Sequence, residues 1–252
     1  MINKKLILII SLVAAALIVA DYTESYKKGI ACLKSNDFRA AVYHFDAALS
    51  DCDASDKKVR SRVHLRLGEA YYQLFKAEGE TANYFTAVEN LEKALLLSDG
   101  SSVVAEFLKN IRYENRDLVI PADHITRSLA NKKAFGVEPT IDLIINFDLN
   151  KATLNDRGIE QAHQLGRALS SPAFDGCRFM IIGHTDKTGT DAINDPLSYN
   201  RSETVMKFLI SFYSMSSERI IIKGKGSREP RYHGDTKKDC ALNRRVEVKV
   251  LD

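Results

Sequence analysis

Between Tyr22 and Asp117 the chain contains no proline and few strand formers, while alanine, leucine, glutamate and lysine recur at helical spacing. A stretch of this length without a helix breaker constrains the fold strongly, and the first half is expected to be all-α. A pattern occurs twice within it: Gly29, Ala41, Phe45 and Ala48, then Gly68, Tyr71, Ala87, Leu91 and Ala94. The shared core is small-xxx-large-xx-small, the spacing that lets two helices approach at the small residues and fill the gap with the large one. A last helix is expected at about 101–115, with Val103, Val104, Phe107, Leu108 and Ile111 on one face.

These positions resemble the tetratricopeptide repeat, in which a glycine or alanine admits the neighbouring helix of an antiparallel pair. The second copy departs from the family by an insertion around Lys76 to Ala82. Two copies are also fewer than the roughly three a solenoid needs, so the last helix or a partner must cover the remaining apolar surface. The resemblance implies a peptide-binding groove for an envelope protein, and the alternative is a spacer. No residue of 21–117 is assigned to a ligand.

Residues 1–20 read as an export signal: Lys4 and Lys5 precede an uncharged run from Leu6 to Ala20, and polar Asp21 follows. The run is shorter than the roughly 17 to 25 residues of a spanning helix. Ile18 stands where a small residue is preferred before a cut after Ala20, so an uncleaved anchor is the alternative, and the only membrane contact expected is through 1–20. Cys32 lies too far along to be lipidated. Export places four cysteines in an oxidising compartment. A Cys32–Cys52 bridge is not expected, because a helical hairpin over 22–50 separates the two beyond about 7 Å. Pairing of Cys177 with Cys240 is left open.

From Leu118 to Pro139 the texture changes, with Pro121, Asn131, Lys132, Lys133, Gly136 and Pro139 marking a linker at 118–140 of low helical order. Beyond it, Ile141 to Asn150 reads as a strand entering a loop. Ile159, Ala162, Leu165 and Leu169 mark a helix, and Phe179–Ile182 a strand. Val205, Phe208, Leu209 and Phe212 mark a second helix before the strand Ile220–Lys223. Val246, Val248 and Val250 alternate with Arg245, Glu247 and Lys249 in a closing strand that sends Arg245 outward. The expected fold class is α+β with two domains, all-α helical hairpins at 21–117 and a βαβαβ-β sandwich at 141–252.

The loops of the second domain hold the informative residues. They are Asn146-Phe147-Asp148, Gly183-His184-Thr185-Asp186, Asn194 with Leu197-Ser198 and Arg201, Gly224 with Gly226 and Pro230, and Asn243-Arg244-Arg245-Val246-Glu247. In this order they resemble the OmpA C-terminal family of peptidoglycan-binding domains, departing slightly, as at Ser202 where the family usually has alanine. The resemblance implies non-covalent binding of the diaminopimelate residue of the peptidoglycan stem peptide.

That ligand end is a zwitterion, with a carboxylate and an ammonium on one carbon, so a complementary site needs an anchored cation and an anchored anion. Asp186 after the second strand and Arg201 in the first turn of the next helix are expected to converge as that pair. An arginine fork holds a carboxylate through two hydrogen bonds, and a helix N-terminus adds partial positive charge. By the same resemblance Asn150, Thr188, Asn194 and Arg244 are supporting contacts, with Asn194 equally suited to brace its loop.

Other chemistry lacks its motifs. His184 beside Asp186 has no second ligand at metal spacing and there is no His-Glu-x-x-His, so His184 reads as structural and no metal or cofactor is expected. Gly224-Lys225-Gly226-Ser227 lacks the upstream glycine of a phosphate loop. Net charge is +3 with no block of like charge, so nucleic acid is not an expected partner. The expectation is a non-catalytic, wall-binding protein in the periplasm of a diderm bacterium, in association with the outer membrane. The alternatives are a periplasmic scaffold acting through its repeats, a peptidoglycan hydrolase, which lacks an acid-base pair, and a motor stator of the MotB type, which needs a membrane carboxylate that Leu6–Ala20 does not contain.

Overall fold

The computed structural model describes residues 24–134, 138–148 and 150–251. The expected signal at 1–20 lies outside the described residues. Among those described, no helix is long and apolar enough to cross a membrane. The protein is α+β, and it divides into two compact units, Met1–Ile111 and Arg112–Asp252.

Unit one contains helices α1 (Glu24–Lys34), α2 (Phe38–Asp51), α3 (Lys57–Glu78), α4 (Thr81–Leu97) and most of α5 (Ser102–Glu114). Asp37 and Asp56 start α2 and α3 by accepting the Ala40 and Val59 amides, which otherwise have no intrahelical partner. The residues of the doubled pattern do what their spacing requires. Ala41, Phe45, Ala48, Ala87, Leu91 and Ala94 are all fully buried. A methyl group placed on Gly29 would lie 2.6 Å from the Phe45 ring, and one on Gly68 would lie 2.6 Å from Leu91. Each large residue therefore seats on the glycine of the preceding helix. The insertion in the second copy is absorbed by α3, which runs for 22 residues before left-handed Gly79 stops it. In α5 the buried stripe is Val104, Phe107, Leu108 and Ile111. Val103 is 42% exposed, because one helical step of about 100° carries it off that stripe.

Unit two corrects the expected linker. Within 118–140 lies a helix, α6 (Ala122–Ala134), whose Ile125 and Leu129 are fully buried in the core of this unit. Its entry is fixed by glutamines of the next helix: Gln161 accepts the Ile120 amide at 2.7 Å and Gln164 the Ala122 amide at 2.9 Å. Pro121 marks where this helix begins, because a proline ring suits a first turn whose amides have no partner. Two apolar residues one turn apart are too few to reveal a helix by periodicity.

The rest is β1 (Thr140–Leu143), α7 (Asp156–Leu169), β2 (Arg178–Gly183), α8 (Asp191–Tyr213), β3 (Ile220–Gly224), α9 (Lys237–Asn243) and β4 (Val246–Leu251). The sheet order is β1-β4-β2-β3; β4 runs antiparallel to both neighbours, and β2 and β3 are parallel. Val246, Val248 and Val250 point into the core as their alternation requires, with Val248 opposite Ile141 on one side and Ile181 on the other. Arg245 lies on the face away from the valines, as expected, yet is buried there against Asp142 of β1. Ile159 and Phe212 sit at the edge of their helical stripes and are 39% and 64% exposed. The helix α9 falls where the sequence suggested only a loop. Cys32, Cys52, Cys177 and Cys240 are all free.

The close approach of α8 to the sheet positions the site. A side chain on Gly183 would collide with the Ser198 carbonyl. With only hydrogen there, the Ser202 hydroxyl reaches the Lys223 carbonyl at 2.9 Å, and the Ser198 hydroxyl accepts the Gly226 amide at 2.9 Å. These bonds tie α8 to the loops that leave β2 and β3.

Candidate ligand-binding site

A cavity of about 140 Å³ opens where β1 runs into its loop, lined by Arg116, Asp117, Ile144 to Phe147, His184, Arg201, Ala241, Arg244 and Arg245. Four of these side chains are arginines. Each is held by different means, and the differences decide what the cavity can bind.

Arg201 is half-buried in α8. Its Nε donates to the Lys151 carbonyl at 3.2 Å, and its guanidinium lies 5.0 Å from the centre of the Phe147 ring. Among the described residues it has no carboxylate within ion-pair distance. Burial, followed by the nearby charge of Arg244, pushes its pKa down, while the charge of Asp186 pulls the other way. Arg201 lies well inside α8, which begins at Asp191, and not in the first turn as expected. The helix terminus therefore contributes little at this position, because its partial charge fades within one turn.

Asp186 is buried just beyond β2 and already satisfied. One carboxylate oxygen accepts the Thr188 amide and hydroxyl, and the other accepts Nη1 of Arg244. Burial raises its pKa, but the Thr188 and Arg244 hydrogen bonds together outweigh it and hold the carboxyl below its ordinary value. Asp186 and Arg201 thus feel one another's charge without forming an ion pair. Arg244, half-exposed, stands where the ligand's ammonium was expected.

The other expected residues divide between bracing and presentation. Asn194 is buried, and its amide donates to the Thr188 carbonyl at 3.0 Å and the Asp186 carbonyl at 3.4 Å, which makes it the brace of the loop. Asn150 is exposed, with a left-handed backbone (φ +58°), in the turn that presents the Lys151 carbonyl to Arg201. Sequence reasoning missed Phe147 as the platform under Arg201, although it lies within the first motif. It also missed Arg116 and Asp117, which carry no motif at all.

Behind the cavity lies a second charged cluster. Arg245 donates to Asp142 at 2.9 Å, and its Nη1 is buried without a hydrogen-bond partner among the described residues. The buried His184 ring has its Nε2 3.3 Å from Glu247. Contact with His184, aided by Lys249 and opposed by burial, lowers the Glu247 pKa from 4.5 to about 2. A depressed carboxyl stabilises the fold above its ordinary value, and that contribution disappears as pH falls from 4.5 toward about 2. Glu247→Gln is therefore expected to lower the urea midpoint at pH 6, with the difference from wild type shrinking toward pH 2.5. A pH-independent difference would show that the charge of Glu247 contributes nothing.

Residues 146–244 match the family model described as the OmpA family. This segment is an OmpA family domain. Outer membrane protein A of Bordetella avium is 34% identical over 105 residues, which is 42% of this chain and 53% of that protein. Outer membrane porin F of Pseudomonas aeruginosa is 29% identical over 110 residues, 44% of this chain and 31% of that protein. The chain thus spans about half or less of the length of these curated relatives. Among solved structures, the cell wall anchor of the T6SS from Pseudomonas aeruginosa aligns with TM-score 0.41 and 22% identity, covering 50% of this chain and 96% of that one. The periplasmic domain of Helicobacter pylori MotB aligns with TM-score 0.39 and 21% identity, covering 44% and 74%. Every motif residue from Asn146 to Arg244 falls within the OmpA family segment, whereas Arg116, Asp117 and α6 precede it.

Proposed function

We propose that the second unit binds peptidoglycan non-covalently by the free amino-acid head group of diaminopimelate in the stem peptide, and that the chain works in the periplasm as a binding protein without catalysis. The observation that carries this reading is Arg201: a desolvated guanidinium, fixed over Phe147, that lines a cavity without a carboxylate of its own. Such a group lowers its free energy by accepting a ligand carboxylate, and each charge-assisted bond contributes on the order of 1.5 to 3 kcal/mol.

The ammonium of the same head group takes over the Asp186 oxygen that Arg244 occupies, and Arg244 turns to share the incoming carboxylate with Arg201. The exchange conserves charge, since one cation replaces another at Asp186. A few such bonds give micromolar to millimolar affinity per site, and the repeated ligand of the wall supplies avidity. The tetratricopeptide-like helical unit either contacts an envelope protein or acts as a spacer.

Co-sedimentation with purified sacculi tests the reading. Diaminopimelate-type sacculi should pull down the chain, while sacculi carrying lysine at that position offer the ammonium without the carboxylate and should bind at least about 10-fold more weakly. Equal binding to both wall types would remove the head group as the ligand.

A further inference from the structure

The cavity holds more positive charge than the proposed head group can use. Arg244 faces Asp186, and Arg245 faces Asp142 and Glu247. Asp117 is engaged by Arg157 at 3.1 Å. Two lining guanidiniums remain, Arg201 and Arg116, and Arg116 meets a carboxylate only at the limit of ion pairing, 4.0 Å from Asp117. A zwitterionic head group is neutral overall and brings one carboxylate, which Arg201 takes together with the displaced Arg244, and Arg116 is left without one.

Arg116 is built to hold a fixed position. Its Nη1 donates to the Tyr113 carbonyl at 2.9 Å, and its guanidinium lies 4.6 Å from the centre of the Tyr113 ring. An arginine ordered before binding loses little entropy when a ligand arrives. It comes from the segment after α5, outside the stretch that matches the OmpA family.

We infer that Arg116 is a second anion contact, which takes the α-carboxylate of the γ-linked glutamyl residue next to diaminopimelate in the same stem peptide. The inference rests on the head-group reading and extends it from one residue to two. A γ-linkage uses the side-chain carboxyl and leaves the α-carboxylate free, so a second negative charge stands one residue away from the first. The OmpA family domain thereby gains a specificity element from the chain that leads into it.

Calorimetric titration of the full chain tests this with three probes: free diaminopimelate, the tripeptide alanyl-γ-glutamyl-diaminopimelate, and the same tripeptide with its glutamyl α-carboxylate amidated. Wild type should bind the carboxylate tripeptide about 10-fold more tightly than the amide, the equivalent of one charge-assisted contact. Arg116→Ala should bind the two tripeptides equally and bind free diaminopimelate as wild type does. An unchanged carboxylate-to-amide ratio in Arg116→Ala, or equal loss of all three probes, would overturn the inference while leaving the head-group reading in place. Failure of wild type to bind any probe would overturn both.

Discussion

Arg201→Ala is expected to weaken binding of a diaminopimelate-containing stem peptide by about 100-fold or more, and to remove the preference over the same peptide with lysine in that position. Arg201 offers its fork to one carboxylate through two charge-assisted hydrogen bonds, each worth about 1.5 to 3 kcal/mol. The lysine peptide lacks that carboxylate, so for this ligand the variant loses little. Arg201→Lys should fall between, because an ammonium keeps the charge but cannot form the paired geometry, and its flexible stem does not stack on Phe147 as the planar group does. The fold should tolerate both changes. Within the protein, truncation removes one hydrogen bond, to the Lys151 carbonyl, and deleting a guanidinium whose pKa is pushed down by burial and by Arg244 relieves an unfavourable charge. A full loss of the diaminopimelate preference with unchanged thermal stability assigns Arg201 to ligand binding. An unchanged preference would remove it from the site.

The sheet, its two long helices and the central loop were legible because their signals are local. β4 alternates with period two, and α7 and α8 carry apolar residues at helical spacing. What remained hidden depends on tertiary partners. α6 exposes too little periodicity to announce itself, yet two buried residues and two glutamines of α7 make it part of the core. Arg245 does alternate to the face away from the valines, but there Asp142 on β1 neutralises it and the residue is buried. The register of β1 against β4 decides that, and neither strand shows it alone. The extent of α8 was misjudged for another reason. Pro196 lies inside the helix, beyond its first turn, so a residue that usually marks a boundary does not mark one here.

The site was legible as a set of residues but not as a set of contacts. Asp186, Thr188, Asn194 and Arg244 do come together, and Arg201 shares the cavity with Arg244. The sequence does not say that a buried carboxylate without ligand needs a cation of its own, and Arg244 meets that need. Asp186 can therefore serve in two ways, as the acceptor of the ligand's ammonium or only as the anchor that orients Arg244.

Asp186→Ala separates these roles when two stem peptides are compared, one carrying diaminopimelate and one carrying 2-aminopimelate, which keeps the terminal carboxylate and lacks the neighbouring ammonium. If Asp186 accepts the ammonium, wild type prefers diaminopimelate by about 10- to 100-fold, one charge-assisted contact, and Asp186→Ala binds both peptides alike. If Asp186 only orients Arg244, the variant weakens both peptides in proportion and the preference survives. The first outcome is expected. Thr188 and Arg244 can turn their freed donors to water, since Thr188 is exposed and Arg244 half-exposed, so the variant should remain folded enough for the comparison. Lysine and aminopimelate peptides then probe opposite halves of one head group. Arg201 variants should lose discrimination against the first and Asp186 variants against the second, a double dissociation that a merely destabilised domain cannot imitate, because unfolding lowers every affinity by the same factor.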